Sequence, residues 1–296
     1  MSERFFCAVS SRERNEQIFG TAPHVTTWLL VEHFGPWGPK SFPDENLAPA
    51  VAQKIRDLAS ALNAGKRLLI RRHHRGEAPF HVFRVRSEER GSSTAALSFE
   101  TASDFVSSDT HEFETRAEPW RGPLYLVCTH GKHDKCCAKF GFATYRAARE
   151  AAPDGAWECS HVGGDRFAAN LVCFPEAIYY GQVPPGAVAT VISEHRAGRI
   201  VLEYYRGRSC YSRITQVGEY FARAETGLRG IHDLAFDRAE RVAAAHWRVQ
   251  FRGPSSGETY AVEFRRRDAA GVHLLTCHAG EPRRIPQFEC LNLRAL

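Results

Sequence analysis

The sequence predicts a mixed α/β fold of the α+β type, because strand-like and helix-like segments alternate along the chain. Residues 1–115 and 116–210 each place a helix after a first strand and then a pair of strands. Residues 211–296 begin with a helix and continue in alternating polar and apolar residues, which are typical of strands. We therefore divide the chain into three predicted regions with these boundaries.

The first region opens with an apolar run at residues 27–31, which predicts a buried strand. A loop rich in glycine and proline follows it. Between residues 48 and 62 apolar side chains recur on one face, which favours an amphipathic helix. Apolar runs at residues 67–70 and 81–85 complete a β-α-β-β order.

The second region begins with a short apolar strand that ends on Cys128. A helix is predicted over residues 138–151, and residues 171–180 have the pattern of a hairpin. Two prolines then open a helix at residues 187–195, where their missing N–H groups are harmless. Strand, helix, hairpin and helix in this order indicate a thioredoxin-like layer.

The third region carries a predicted helix near residues 214–228 and two alternating segments at 246–251 and 260–264. Residues 253–257 separate those segments with a turn rich in glycine, proline and serine. We interpret this region as a small α+β appendage.

Composition excludes several classes of protein. The chain is 43% hydrophobic and has 39 Lys and Arg against 34 Asp and Glu, which is typical of a folded protein. Its best apolar run is far shorter than the roughly 20 residues that a membrane helix needs. The N-terminal residues lack the apolar core of a secretory signal. We therefore expect a cytoplasmic protein with no membrane contact.

The nine cysteines are distributed unevenly. Cys128, Cys136, Cys137 and Cys159 lie within 32 residues, and such crowding favours a metal or redox site. Without an export signal the thiols are expected to be reduced. The scattered cysteines, expected to be small core residues, are Cys7, Cys173, Cys210, Cys277 and Cys290.

The first half of the crowded segment favours thiolates. Cys128 lies where a strand ends and Cys137 where a helix begins, and eight residues separate them. Helix N-terminal amides and the nearby Lys132, Lys135 and Lys139 should lower thiol pKa values. Thiolate is the form that binds a metal, and a loop of this length suits a group wider than one ion.

The second half places His161 and Asp165 on either side of Gly163 and Gly164. Glycine permits a positive φ and close backbone approach, so we expect a loop folded around a ligand, with the two glycines contacting it. Two thiolates, one imidazole and one carboxylate form a chemically sensible set of four ligands.

These residues resemble the sucrase/ferredoxin-like family, whose motif reads Cys-x8-Cys followed by His-x-Gly-Gly-His. The resemblance extends to strings at residues 20–23, 28–32, 35–38, 166–170 and 206–211. It implies a thioredoxin-like fold and a [2Fe-2S] cofactor. We therefore expect an electron carrier rather than an enzyme. Cys128, Cys137 and His161 carry over as ligands, and Asp165 stands where the family has its second histidine.

The aspartate leaves alternatives open. A carboxylate is a harder ligand than imidazole and should lower the reduction potential. Cys159, Cys136 or Cys173 is the alternative fourth ligand. The same residues also suit a structural zinc site. A thiol oxidoreductase is disfavoured, because a Cys-x-x-Cys pair at a helix start is missing.

Charge gives the expectations about partners. The three lysines in the cysteine segment predict an acidic redox partner. The basic run at residues 66–75 lacks interleaved aromatic residues, so we interpret it as a strand with solvated ends and expect no nucleic-acid partner. His130 and His133 are expected to be solvated loop residues. No pair of carboxylates is singled out for glycoside hydrolysis, so no sucrase site is expected.

Overall fold

A computed structural model describes residues 5–42, 44–72, 79–254, 257–278 and 280–296. The strands of this described part are, in chain order, β1 (Thr27–Glu32), β2 (Lys66–Arg71), β3 (Phe80–Arg86), β4 (Ser93–Phe99), β5 (Glu118–Pro119), β6 (Leu124–Cys128), β7 (Ala156–Cys159), β8 (Leu171–Phe174), β9 (Ile178–Tyr180), β10 (Tyr205–Arg208), β11 (Ala235–Ala243), β12 (His246–Arg252), β13 (Thr259–Asp268) and β14 (Pro286–Ala295). The α-helices are α1 (Cys7–Glu13), α2 (Pro49–Ala61), α3 (Ala102–Ser107), α4 (Glu112–Thr115), α5 (Lys135–Ala151), α6 (Val188–Arg196) and α7 (Arg213–Thr226).

Ten strands form one mixed sheet in the order β10-β9-β8-β6-β7-β2-β1-β3-β4-β5. The order contains two equivalent halves. In the first half, β1 pairs in parallel with β2 and antiparallel with β3, which pairs with β4. In the second half, β6 pairs in parallel with β7 and antiparallel with β8, which pairs with β9. The predicted α/β class is confirmed.

The two halves meet where β2 and β7 run antiparallel, with Ile70 opposite Cys159 and Arg71 opposite Glu158. The regions before residue 210 therefore share one continuous sheet. The central strands read as unbroken apolar runs because helices or loops cover both of their faces. Trp28, Leu68 and Trp157, for example, lie in a single core cluster that crosses the junction.

The helix that carries the cysteine pair starts at residue 135, earlier than the predicted residue 138. Asp134 is its N-cap, and the carboxylate accepts a hydrogen bond from the backbone N–H of Cys136 at 2.8 Å. Aspartate is a strong N-cap residue because its side chain satisfies an otherwise unpaired amide. Cys136 and Cys137 therefore lie in the first turn of α5.

The C-terminal region is an antiparallel sheet in the order β11-β12-β13-β14, with α7 packed on it through Val217. Strand β11 departs from alternation, since nearly all of its residues after Ala235 are exposed, and this explains why sequence patterning missed it. Ser255 and Ser256 of the predicted turn lie outside the described residues.

The basic run near residue 70 is partly described. Its first part is β2, in which Arg71 pairs with Glu158 at 3.2 Å and Arg67 lies over the ring of Phe42 at 4.7 Å. The remainder, His73 to Arg75, lies outside the described residues. Among the described helices, none is both long and apolar enough to cross a bilayer.

Candidate metal centre

The predicted ligands meet at one end of the second half of the sheet. Strand β6 ends on Cys128, the first turn of α5 carries Cys137, and the loop after β7 carries His161. Their ligand atoms all lie within 4.8 Å of one another. Both sulfurs are buried and the imidazole is partly exposed. Three separate segments thus place two thiols and one imidazole around a common point.

Asp165 lies beside this group, at the start of a short 3-10 helix. Its Oδ1 is 3.3 Å from the Cys137 sulfur and 3.0 Å from Nδ1 of His161. The side chain is buried, so its carboxylate faces the three ligands rather than solvent. The structure therefore brings together all four residues that the sequence indicated.

His133 is a further ligand candidate that the sequence analysis missed. Its ring centroid is 4.0 Å from that of His161, and the ligand atoms of His133, His161 and Asp165 form a second compact group. His133 is half-buried, with Nδ1 3.0 Å from the carbonyl oxygen of Pro39. The available signal was its position in the loop between the two motif cysteines.

The glycine pair shapes the loop that carries His161. Gly163 and Gly164 have φ angles of 100° and 81°, which L side chains rarely adopt. A Cβ on Gly164 would lie 2.4 Å from a guanidinium nitrogen of the buried Arg206. Arg206 donates to the carbonyl oxygen of Gly163 at 2.9 Å and to Oδ1 of Asn170 at 2.7 Å. The Asn170 amide in turn donates to the Gly164 carbonyl oxygen at 2.9 Å, which fixes the loop from both sides.

Electrostatics at the metal-free site favour a thiolate on Cys128 and an ionised Asp165, with His161 protonated and Cys137 a neutral thiol. The hydrogen bond from the Cys137 thiol, together with His161, holds the pKa of Cys128 well below its ordinary value, while the pKa of Cys137 is raised. Burial acts to lower the pKa of His161, but Asp165 and Cys128 outweigh it and raise the pKa to about 9. Burial acts to raise the pKa of Asp165, but His161 and His133 outweigh it and the pKa falls.

His130 is buried, so its prediction as a solvated loop residue was wrong. Its Nδ1 accepts the backbone N–H of His161 at 3.1 Å, and its Nε2 lies 2.6 Å from the carbonyl oxygen of Gly38. These partners assign the proton to Nε2, and burial lowers the His130 pKa, so the ring is neutral. His130 therefore links the ligand loop to the glycine and proline loop of the first half.

The alternative cysteine ligands occupy other places. Cys159 is opposite Cys128 in the sheet and buried in the same core cluster. Cys173 packs in a different cluster, with Tyr125 and Val127. Cys136 points into a separate group of thiols. Among the described residues, none of these three cysteines joins the compact group at Cys128.

Two clefts reach His161, whose side chain is 14% exposed. The first has a volume of about 710 Å³ and is lined by Arg56 and Arg67, among others. The second has a volume of about 630 Å³ and is lined by Arg166 and Arg283, among others. The first cleft is therefore basic, whereas Asp165 and Glu281 balance the two arginines of the second.

The predicted lysine collar is divided. Lys132 and Lys139 are exposed and Lys135 is half-buried. The ammonium groups of Lys135 and Lys139 lie over the ring of Phe6, 5.0 and 3.8 Å from its centroid. This arrangement does not test the expected acidic partner, which stays a prediction.

The donor set suits a thiophilic metal group. Nδ1 of His161 lies at ion-pair distance from Asp165 without hydrogen-bond alignment, which leaves it a buried nitrogen with no hydrogen bond. Buried polar atoms of this kind are rare and require a partner. Two sulfurs, that nitrogen and a carboxylate offer the ligands that iron and zinc accept.

Fold and site together define an α/β protein that collects two cysteines, a histidine and an aspartate where central strands of its sheet end. The chain belongs to the sucrase/ferredoxin-like family, whose profile matches residues 18–207. The resemblance noted in the sequence is therefore confirmed. The matched segment includes all four predicted ligands, and also Asn170 and Arg206.

Similar proteins include two yeast relatives and one solved structure. Altered inheritance of mitochondria protein 32 of Debaryomyces hansenii is 33% identical over 95 residues, which cover 28% of this chain and 35% of the relative. Its namesake in Meyerozyma guilliermondii is 33% identical over 98 residues, covering 28% of this chain and 34% of the relative. The chain thus matches about a third of their length. A variant of the thioredoxin-like [2Fe-2S] ferredoxin from Aquifex aeolicus is 18% identical, covering 28% of this chain and 96% of that one, with a TM-score of 0.26.

Proposed function

We propose that the protein is an electron carrier that holds one [2Fe-2S] cluster on Cys128, Cys137, His161 and Asp165. The observation that carries this proposal is the convergence of the first three ligand atoms, from three separate segments, within 4.8 Å of one another. Family membership supports it, because the matched segment contains the motif that supplies these residues.

When bound, a [2Fe-2S] cluster supplies one-electron redox chemistry, and the surrounding protein sets its potential and its access to partners. Cys128 and Cys137 bind through sulfur in a core from which water is excluded. His161 binds through nitrogen, and its exposed edge provides a short route for electrons to the surface.

A half-buried lysine and a buried arginine offset the negative charge of this ligand set. The Lys66 ammonium group donates to the carbonyl oxygen of Val162 at 2.7 Å, next to His161. The Arg206 guanidinium lies beneath the loop at Gly163. Positive charge close to thiolates stabilises the more negative, reduced state of a bound redox group. Basic residues lining the first cleft support docking of an acidic redox partner.

Iron and acid-labile sulfide analysis tests the proposal. Protein purified without oxygen should contain iron and sulfide in equal amounts and show visible bands that dithionite bleaches. Cys128→Ser and Cys137→Ser should each abolish both. Cys173→Ser, in the other core cluster, is the matched control and should retain them. A colourless protein from iron-supplied cells would overturn the proposal.

A single zinc ion is the second candidate, and the compactness of the site favours it. Ligands at about 2.0–2.3 Å from a tetrahedral ion lie roughly 3.3–3.8 Å apart. The ligand atoms of Cys128, Cys137 and His161 all lie within 4.8 Å of one another, which admits that spacing. The same analysis separates the two candidates, because a zinc protein would contain no sulfide.

A further inference from the structure

A second group of metal-binding side chains lies on the opposite side of the first turn of α5. It consists of Cys7, Asp134, Cys136 and Cys277, whose ligand atoms all lie within 4.8 Å of one another. Cys7 is the first residue of α1, and Cys277 lies between β13 and β14. The fold therefore collects three thiols and a carboxylate from the N-terminus, the middle and the C-terminal region of the chain.

The three sulfurs form a nearly equilateral triangle. Cys7 and Cys136 are 3.6 Å apart, Cys136 and Cys277 are 3.4 Å apart, and Cys277 and Cys7 are 3.6 Å apart. A disulfide would bring one pair to about 2.05 Å. Sulfurs bound at about 2.3 Å to a tetrahedral ion lie about 3.8 Å apart. The observed spacing is close to that of three ligands on one ion.

Asp134 is oriented toward the same point. Its two carboxylate oxygens lie 3.9 and 3.8 Å from the Cys7 sulfur. One oxygen accepts the backbone N–H of Cys136 at 2.8 Å and the other accepts that of Cys277 at 2.7 Å. Such hydrogen bonds are typical of ligating carboxylates, and each oxygen keeps a second lone pair for a metal.

Backbone amides face two of the three sulfurs. The backbone N–H of Ala8 lies 3.5 Å from the Cys136 sulfur, and that of Cys7 lies 3.5 Å from the Cys277 sulfur. Cys7, Asp134 and Cys136 are fully buried. Cys277 is half-buried. Three thiols and a carboxylate that are largely shielded from solvent resemble a structural metal site rather than a catalytic one.

We propose that Cys7, Cys136, Cys277 and Asp134 bind one thiophilic divalent ion of the zinc class. Binding displaces the thiol protons to solvent, so that three thiolates and a carboxylate surround the ion. The ion ties α1 and the segment before β14 to α5, directly next to Cys137. Leu275 and Thr276, just before Cys277, line the second cleft at His161, so the ion also fixes one wall of that cleft. This site does not depend on what the first centre binds.

Cysteine alkylation of the full-length protein tests the site without any substitution. After treatment with a chelator and a reductant, the half-buried Cys277 should react with iodoacetamide, and Cys7 and Cys136 should react more slowly, as local opening exposes them. Added Zn²⁺ should protect these three and leave the reactivity of Cys210 and Cys290 unchanged. Equal alkylation with and without Zn²⁺, or a disulfide between any two of the three, would overturn the proposal.

Metal content provides the second measurement. In a Cys128→Ser background, which removes one thiolate of the first centre, purified protein should retain one zinc ion per chain. Adding Cys277→Ser should remove that zinc, whereas adding Cys290→Ser, a comparably half-buried thiol, should not. Co²⁺ in place of zinc should give the visible bands of tetrahedral thiolate coordination. Retention of zinc in the Cys277→Ser protein would contradict the assignment.

Discussion

The two halves of the ten-stranded sheet share one topology but differ in chemistry. Both have the strand order second, first, third, fourth, and their second strands meet at the centre. All four proposed ligands of the first centre lie in the second half, while residues 8–127, which include the whole first half, contain no cysteine. The same arrangement of strands thus carries the proposed ligands in one half and no cysteine in the other. Topology provides a suitable strand end, and the side chains placed there decide its chemistry.

Residues of the first half cover one side of the proposed metal centre. The carbonyl oxygen of Gly38 accepts a hydrogen bond from Nε2 of His130, and Lys66 donates a hydrogen bond to the carbonyl oxygen of Val162. The carbonyl oxygen of Pro39 contacts His133. These contacts enclose the ligand loop and leave an edge of His161 exposed. A half that contributes none of the proposed ligands can thus still determine how exposed His161 is and how much positive charge lies next to the site.

Changing Asp165 is expected to produce the largest effect, because it alters the ligand set that distinguishes the second half. Asp165→Ala should leave an open coordination position and speed the loss of iron to a chelator by roughly tenfold or more. Asp165→His should keep the cluster and raise its potential, since a neutral imidazole replaces an anionic oxygen. Visible spectra during chelation and a redox titration measure both effects.

His133→Ala is the matched variant for this test, because His133 also lies next to His161. It should leave the spectrum and the chelation rate unchanged. If Asp165 is only a loop carboxylate, its loss would change stability by about 1 kcal/mol and leave the spectrum unaltered. A labile cluster in His133→Ala combined with a stable one in Asp165→Ala would show that His133, and not Asp165, is the fourth ligand.

A smaller effect is expected from the loop glycine. Gly164→Ala forces an L side chain into a φ of 81° and toward the buried Arg206, and should lower the free energy of unfolding by about 1–3 kcal/mol. Gly186→Ala is the control, since a Cβ there meets nothing within 4 Å and the residue lies in a 3-10 helix. Urea unfolding of both variants measures the difference. Equal stabilities would show that the loop relaxes without strain.

Local patterns predicted much of the fold and of the first centre. Apolar runs indicated β1 and β6, and the motif placed Cys128, Cys137 and His161 within one short segment. Strand β11 was missed because its exposed, charged residues do not alternate. The thiol group at Cys136 was also missed, since its sulfur partners lie 129 and 141 positions away in the sequence. Only the packing of α1 and the C-terminal segment against α5 brings them together.

Sequence patterns also failed to predict which histidines are buried. His130 and His133 lie in the same short polar loop, which favours exposure of both. The structure buries His130 because a loop from the first half covers it, and leaves His133 half-exposed. That contact joins residues 92 positions apart, so no local pattern reports it.

The smallest expected effect concerns which half attracts a charged redox partner. Arg67 of the first half lines a cleft at His161. Lys132 of the second half is exposed and precedes His133, which lines the same cleft. Arg67→Glu should slow oxidation of the reduced protein by ferricyanide, an anionic probe, by roughly threefold to tenfold at low salt. Lys132→Glu should slow it less, because Lys132 does not line that cleft.

Arg238→Glu is the control for this prediction. It lies on the exposed strand β11, makes the same charge change in another sheet and should leave the oxidation rate unchanged. All differences should shrink with added salt, since the Debye length falls from about 30 Å at 0.01 M to about 10 Å at 0.1 M. A larger effect of Lys132→Glu would place the docking surface on the second half, and salt-independent rates would remove the basic surface from the mechanism.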